Sequence, residues 1–186
     1  MCSEPKRTEH ALDCARRVEA APLIPTLALE PAAQARFDQL RAQHFPPERN
    51  QVPAHVTLFH ALPGTERAAI TADLARCCAD TAPFAIRIAG LRSLGRGVAY
   101  VVESAELARL RGALARTWAP WLGAQDRQGY RPHLTVQNKA DPASARALLA
   151  ALQAEFSPFE VEATGLLLWH YRSGPWEAAG LFAFGK

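Results

Sequence analysis

Along this chain the spacing of apolar residues switches repeatedly between a period of two and a period of three to four. Residues 22–30, PLIPTLALE, form an apolar run closed by Glu30-Pro31 and predict a first strand, with Pro25 favouring an edge or strand-start position. From Pro31, a residue suited to a helix start, Ala33, Phe37, Leu40 and His44 recur at helical spacing. A proline-rich loop leads into a strand, AHVTLFHAL (54–62), which Pro63-Gly64 ends; Thr65 is placed to cap, and 66–80 reads as a second helix. PFAIRIAGLRSLG (83–95) and GVAYVVES (97–104) predict a hairpin across Gly95-Arg96-Gly97. Ser104 caps a third helix with Leu107, Leu110, Leu114 and Trp118 on its apolar face. After a loop come a strand at 133–140, a fourth helix opened by Asp141-Pro142, and a final strand pair at 158–171 and 176–185.

The two halves repeat one another. PAHVTLFH (53–60) is answered by RPHLTVQN (131–138), and each is followed by a helix and a hairpin. Pro83-Phe84 at the start of the first hairpin and Gly90-Leu91 within it correspond to Pro158-Phe159 and Gly165-Leu166 in the second. A single repeat of this length implies two related lobes about a pseudo-twofold axis, not a solenoid. The lobes are expected at about 31–104 and 105–186, with the strand at 22–30 exchanged between them and residues 1–20 as a polar tail.

The repeated motif carries chemistry. On a strand, alternate side chains share a face, so His55 and Thr57 point one way and Val56, Leu58 and His60 the other. His133, Thr135 and Gln137 share a face in the same manner. A pseudo-twofold would bring two imidazoles and two hydroxyls together across a cleft. Two imidazoles, with unperturbed pKa values of about 6.5, suit paired general acid and base catalysis, and hydroxyls can hold the nonbridging oxygens of a phosphoryl group. No metal and no cofactor are called for: clustered carboxylates, His-x-His and His-Glu-x-x-His are missing from the sequence.

The tetrads HVTL (55–58) and HLTV (133–136), 78 positions apart, with YRPH leading into the second, resemble the two-histidine phosphoesterase superfamily, in particular its bacterial 2′-5′ RNA ligase-like branch. The resemblance covers residue 22 to the end of the chain. It implies an α+β, bilobal, internally duplicated fold with antiparallel sheets lining a central cleft and helices outside. It also implies a metal-independent phosphodiesterase acting on 2′,3′-cyclic phosphates or 2′-5′ linkages of RNA ends or small nucleotides, with reversible ligation as the same chemistry run backward. Carried onto this chain, His55 and His133 are the acid and base and Thr57 and Thr135 hold the phosphate. A non-catalytic RNA or nucleotide binding module using the same cleft is the alternative.

Outside the motifs, Arg131, Arg96 and Lys139 are placed to meet a phosphate or ribose, and Tyr171, with Trp169 and Trp176, to stack on a base. His60 is expected to be structural because of its parity, and His10 and His44 carry no role. The 186 residues, 49% apolar and 21% charged, fit one domain, and a net charge of +3 argues against a broad DNA-binding surface. No apolar run is long enough for a membrane span. Cysteines at 2, 14, 77 and 78 form no Cys-x-x-Cys pair, so reduced thiols and a cytoplasmic location are expected. A complete cleft within one chain makes a monomer sufficient.

Overall fold

The computed structural model describes residues 21–172 and 174–185; the polar tail expected over 1–20, with Cys2 and Cys14, lies outside the described residues. Strand β1 (Leu23–Leu29) is buried along its whole length, and helix α1 (Pro31–His44) follows with proline in its first turn. Then come β2 (Val56–Thr57), α2 (Arg67–Ala79), β3 (Phe84–Ser93) and β4 (Val98–Glu103). The second half supplies α3 (Ala105–Thr117), β5 (His133–Gln137), α4 (Pro142–Glu155), β6 (Phe159–His170) and β7 (Glu177–Ala183). Two expected caps are present: Ser104 Oγ accepts from Leu107 N–H at 3.2 Å, and Asp141 Oδ2 accepts from Ala143 and Ser144 N–H at 2.9 and 3.0 Å. Thr65 does not cap; it sits in a 3₁₀ turn, Gly64–Glu66, ahead of α2.

The strands join into one antiparallel sheet in the order β1-β2-β5-β4-β3-β6-β7, and β1 also pairs with β6, so six strands close on themselves and β7 lies outside the ring. Two pairings reveal the duplication. Phe84 corresponds to Phe159 in sequence, which makes Ile86 the counterpart of Val161, and these two residues are partners in the β3–β6 ladder. His55 corresponds to His133, which makes Val56 the counterpart of Leu134, and these too are partners, in the β2–β5 ladder. A residue paired with its own counterpart must lie on the twofold, so the pseudo-axis passes through both pairs.

The hairpins are less alike than their sequences suggest. β4 is a member of the ring between β3 and β5, whereas the corresponding position beside β6 is filled by β1, between β6 and β2. β7 is an added strand on the flank of β6 that continues beyond β3. The glycines record this. A Cβ on Gly165 would come within 2.4 Å of the Phe182 carbonyl oxygen of β7, while at its counterpart Gly90 nothing lies within 4 Å.

Pro25 occupies a ring strand, not the edge expected for it. Its carbonyl accepts from Leu58 N–H at 2.9 Å, but without an N–H it cannot return the bond, and the regular β1–β2 ladder stops at Thr26↔Thr57. The strand expected over 54–62 is therefore reduced to two residues, plus a bridge from Leu62 to Leu23. Val56, Leu134, Ile86 and Ile88 are fully enclosed in the core, with Trp118 of the α3 terminus packed edge-on against Phe59 at 5.1 Å. Helices α1 and α4 pack on β5 and β3. No helix among the described residues is long and apolar enough to cross a membrane.

Candidate active site

The β2–β5 register builds the site. Val56 and Leu134 are paired and point into the core, so the residues on either side of them face the other way. Continuing the antiparallel register by one residue sets His55 beside Thr135 and Thr57 beside His133. The two histidines are then diagonal neighbours on one face, a relation in which residues lie about 7–8 Å apart. All four side chains are half-buried, while their alternates Val56, Leu58, Leu134 and Val136 are enclosed.

Each imidazole is held in the same manner. His55 Nδ1 lies 2.7 Å from the Pro53 carbonyl oxygen, and His133 Nδ1 lies 3.0 Å from the Arg131 carbonyl oxygen, in both cases two residues upstream. A carbonyl only accepts, so both Nδ1 atoms carry the proton, which leaves each Nε2 outside these hydrogen bonds. Neither threonine hydroxyl has an intramolecular hydrogen-bond partner among the described residues.

Both histidines are shifted toward the neutral form. Burial is the main cause for His55, whose pKa falls to about 4; the Pro53 hydrogen bond opposes this, and Arg41 and His133 add to it. For His133, burial again leads, opposed by the Arg131 carbonyl and reinforced by Arg92 and His60.

Helix α1 locks the two motif strands through a polar stripe at 34, 38 and 41. Asp38 Oδ1 accepts from Ala54 N–H at 2.6 Å, and Gln34 Nε2 donates to the Ala54 carbonyl at 2.9 Å. Arg41, 3% exposed, donates from Nη1 to the Thr135 carbonyl at 2.8 Å and from Nε to Asn50 Oδ1 at 3.2 Å. Burial pulls its pKa down to about 10, with Asp38 acting in the opposite direction, so it stays charged at neutral pH. The i, i+4, i+7 spacing of these polar residues was visible in the sequence as a second stripe beside Ala33, Phe37 and Leu40.

Two cavities flank the histidine pair. One, of about 350 Å³, includes His55 and is walled by Ala28, Leu29, Leu167, Trp169 and Leu181. Trp176 stands over His55 with ring centroids 4.5 Å apart, and Trp169 lies 6.2 Å from Trp176, its indole N–H donating to Thr26 Oγ1 at 2.9 Å. The other cavity, of about 300 Å³, includes Thr57 and His133 and is walled by His60, Arg92, Arg111, Tyr130 and Arg131. Tyr130 donates to the Thr57 carbonyl at 3.1 Å, and burial raises its pKa.

Of the binding residues expected from sequence, Arg131 lines the cavity of His133 and Trp169 that of His55. Tyr171 is 43% exposed and borders neither cavity; its tryptophan neighbours in sequence are the aromatic groups at His55. Arg96, at the β3–β4 turn, donates from Nε to the Ala140 carbonyl at 3.1 Å, and Lys139 lines a separate surface pocket with Glu48, Arg49 and Gln51. His60 corrects the parity expectation. Leu58 and Phe59 are both enclosed in succession, alternation ends, and His60 turns into the cavity of His133. Its signal in the sequence was the pair of large apolar residues just before it.

The fold superposes on TT0787 of Thermus thermophilus with a TM-score of 0.62 at 19% identity, covering 88% of this chain and 98% of that one. E. coli LigT complexed with NADP+ gives 0.59, and the same protein complexed with 3′-AMP gives 0.57, each at 19% identity and covering 90% of this chain and 99% of that one. No curated protein matches the sequence. The sequence profile of the 2′-5′ RNA ligase superfamily matches residues 29–175, a span that holds both His-x-Thr motifs, α1 and most of the ring. With paired histidines on strands related by a pseudo-twofold, the chain belongs to the 2′-5′ RNA ligase superfamily, the two-histidine phosphoesterases.

Proposed function

We propose that this protein is a metal-independent phosphodiesterase that opens 2′,3′-cyclic phosphates, or cleaves 2′-5′ linkages, at RNA ends or in small nucleotides. The observation that carries the proposal is the matched anchoring of His55 and His133, each held through Nδ1 with Nε2 left unengaged on the same face of the sheet. One ring, neutral with a free lone pair on Nε2, takes a proton from water as its oxygen attacks phosphorus; the other enters as imidazolium, protonated on Nε2 as well as Nδ1, and gives the Nε2 proton to the ribose oxygen as the phosphorus–oxygen bond breaks. Thr57 and Thr135 donate to the nonbridging oxygens and hold the phosphoryl group in line. Run backward with a ribose hydroxyl in place of water, the same proton transfers join two ends. The nucleotides held by E. coli LigT support a nucleotide ligand here. Trp169 and Trp176 suit its base, and Arg131 its ribose or phosphate. The lobes divide near 104, with β1 exchanged, as its pairing with β2 and β6 supports.

The test is incubation of the purified protein with adenosine 2′,3′-cyclic phosphate, with and without EDTA, and chromatographic separation of the products. Adenosine monophosphate is expected in equal amounts under both conditions. Binding without product would leave a nucleotide-binding module, and product only after a divalent metal is added would overturn the mechanism.

A further inference from the structure

The cavity beside His133 holds more positive charge than one reacting phosphate needs. Some surface arginines are answered by carboxylates, as in Arg109 with Glu106 and Arg172 with Glu177. Within the cavity, Arg92, Arg111 and Arg131 have no carboxylate within salt-bridge distance among the described residues. The Nε atoms of Arg92 and Arg111 are buried without a hydrogen-bond partner. Arg111 is fixed in place: its guanidinium lies 4.7 Å from the Phe59 ring and 5.1 Å from the Tyr130 ring, and Nη2 donates to the Asp126 carbonyl.

The one carboxylate in this wall is already engaged. Asp126, 4% exposed, accepts from the His60 backbone N–H at 3.1 and 3.0 Å and from His60 Nδ1 at 2.7 Å. Burial works to raise its pKa, but the His60 hydrogen bonds and the Arg111 charge outweigh this and keep it ionised. The carboxylate thus fixes His60 with Nδ1–H inward, so that with Nε2 protonated as well the ring donates a hydrogen bond into the cavity, a third oriented imidazole. Half-buried arginines whose enclosed Nε donors lack a partner suit an anion. The reacting phosphate lies between His55 and His133, and His55 does not border this cavity.

We propose that Arg92, Arg111 and His60, oriented by Asp126, form a second phosphate subsite that takes the 5′-side phosphate of the nucleotide whose 2′,3′-cyclic phosphate is opened. The inference rests on the phosphodiesterase activity proposed above and narrows it to substrates carrying two phosphates across one ribose. The apolar cavity with Trp176 then takes the base, which fixes the direction in which the nucleotide lies across the histidines.

The experiment compares kcat/KM for adenosine 2′,3′-cyclic phosphate, the same compound with a 5′-phosphate, and the dinucleotide ApA ending in a 2′,3′-cyclic phosphate. The 5′-phosphate is expected to raise kcat/KM at least tenfold, chiefly through KM, with the ratio falling as salt is raised. Arg92→Gln should bring the ratio close to one, and Arg92→Lys should restore part of it. The dinucleotide matching the 5′-phosphorylated nucleotide would identify an internal phosphodiester as the ligand; preference for the free 5′-phosphate would identify a small nucleotide. A wild-type ratio near one at low salt, or a ratio that Arg92→Gln leaves intact, overturns the subsite. Should no substrate turn over, calorimetry with 5′-AMP separates the two ideas. Binding weakened at least tenfold by Arg92→Gln retains the subsite without the enzyme, and equal binding by both proteins removes it.

Discussion

The surroundings of His55 and His133 differ far more than the histidines themselves. Each ring sits two residues before a threonine, on a strand whose alternate residues are enclosed, with Nδ1 held by the carbonyl two positions upstream. Around His55, however, the wall is aromatic and aliphatic, whereas around His133 it is three arginines and a His–Asp pair. In the proposed reaction the duplicated geometry supplies what is needed twice, a proton acceptor and a proton donor for opposite sides of phosphorus. The unlike walls suit what the proposed nucleotide needs once, since its base and its phosphates are chemically different ends.

The comparison breaks most severely if one histidine proves dispensable. His55→Ala and His133→Ala should each lower kcat by about 10²–10⁴-fold, as expected for loss of a general acid or base. A variant retaining more than a tenth of wild-type kcat would show the pair to be unequal partners. Next in size is the aromatic wall. Trp176→Ala should weaken binding of an adenine-bearing ligand by about 1–3 kcal/mol, the usual worth of a base-stacking contact, and should leave the affinity for ribose cyclic phosphate without a base nearly unchanged. Equal losses for both ligands would place the base elsewhere.

The smallest effect concerns stability. His55 has a folded pKa of about 4, below the ordinary value near 6.5, so between these values the unfolded chain binds more protons and stability falls as pH falls. His133 is shifted in the same direction. Replacing His55 with Asn should flatten the acid limb of urea denaturation midpoints between pH 6.5 and 4, by an amount on the order of 1 kcal/mol for a partly hydrated ring. An unchanged limb would mean that the ring is as well solvated as in the unfolded chain.

Much of this arrangement could be read from the letters alone, and the reason is periodicity. Alternation at 55–58 and 133–136 sorted the half-buried polar side chains from the core ones, and the caps Ser104 and Asp141 marked where helices begin. Features fixed by a missing or an interrupted interaction were harder to read. Pro25 removes one donor and so shortens a strand thirty residues away, which no local pattern announces. His60 was misplaced because two core residues in a row ended the alternation on which its parity depended. Arg92, Arg111 and Asp126 come from three different elements or loops, and only the register of the sheet and the path of the 123–132 loop gather them.

Ring closure has a consequence for how the chain reaches its native state. Leu23–Leu29 finds its longest partner in residues 163–170, so during synthesis this strand stays unpaired on that side until about 130 further residues have followed it. Its seven residues are apolar but for one threonine and enclosed in the finished protein, and during that interval they form a sticky segment relieved only when β1 and β6 meet.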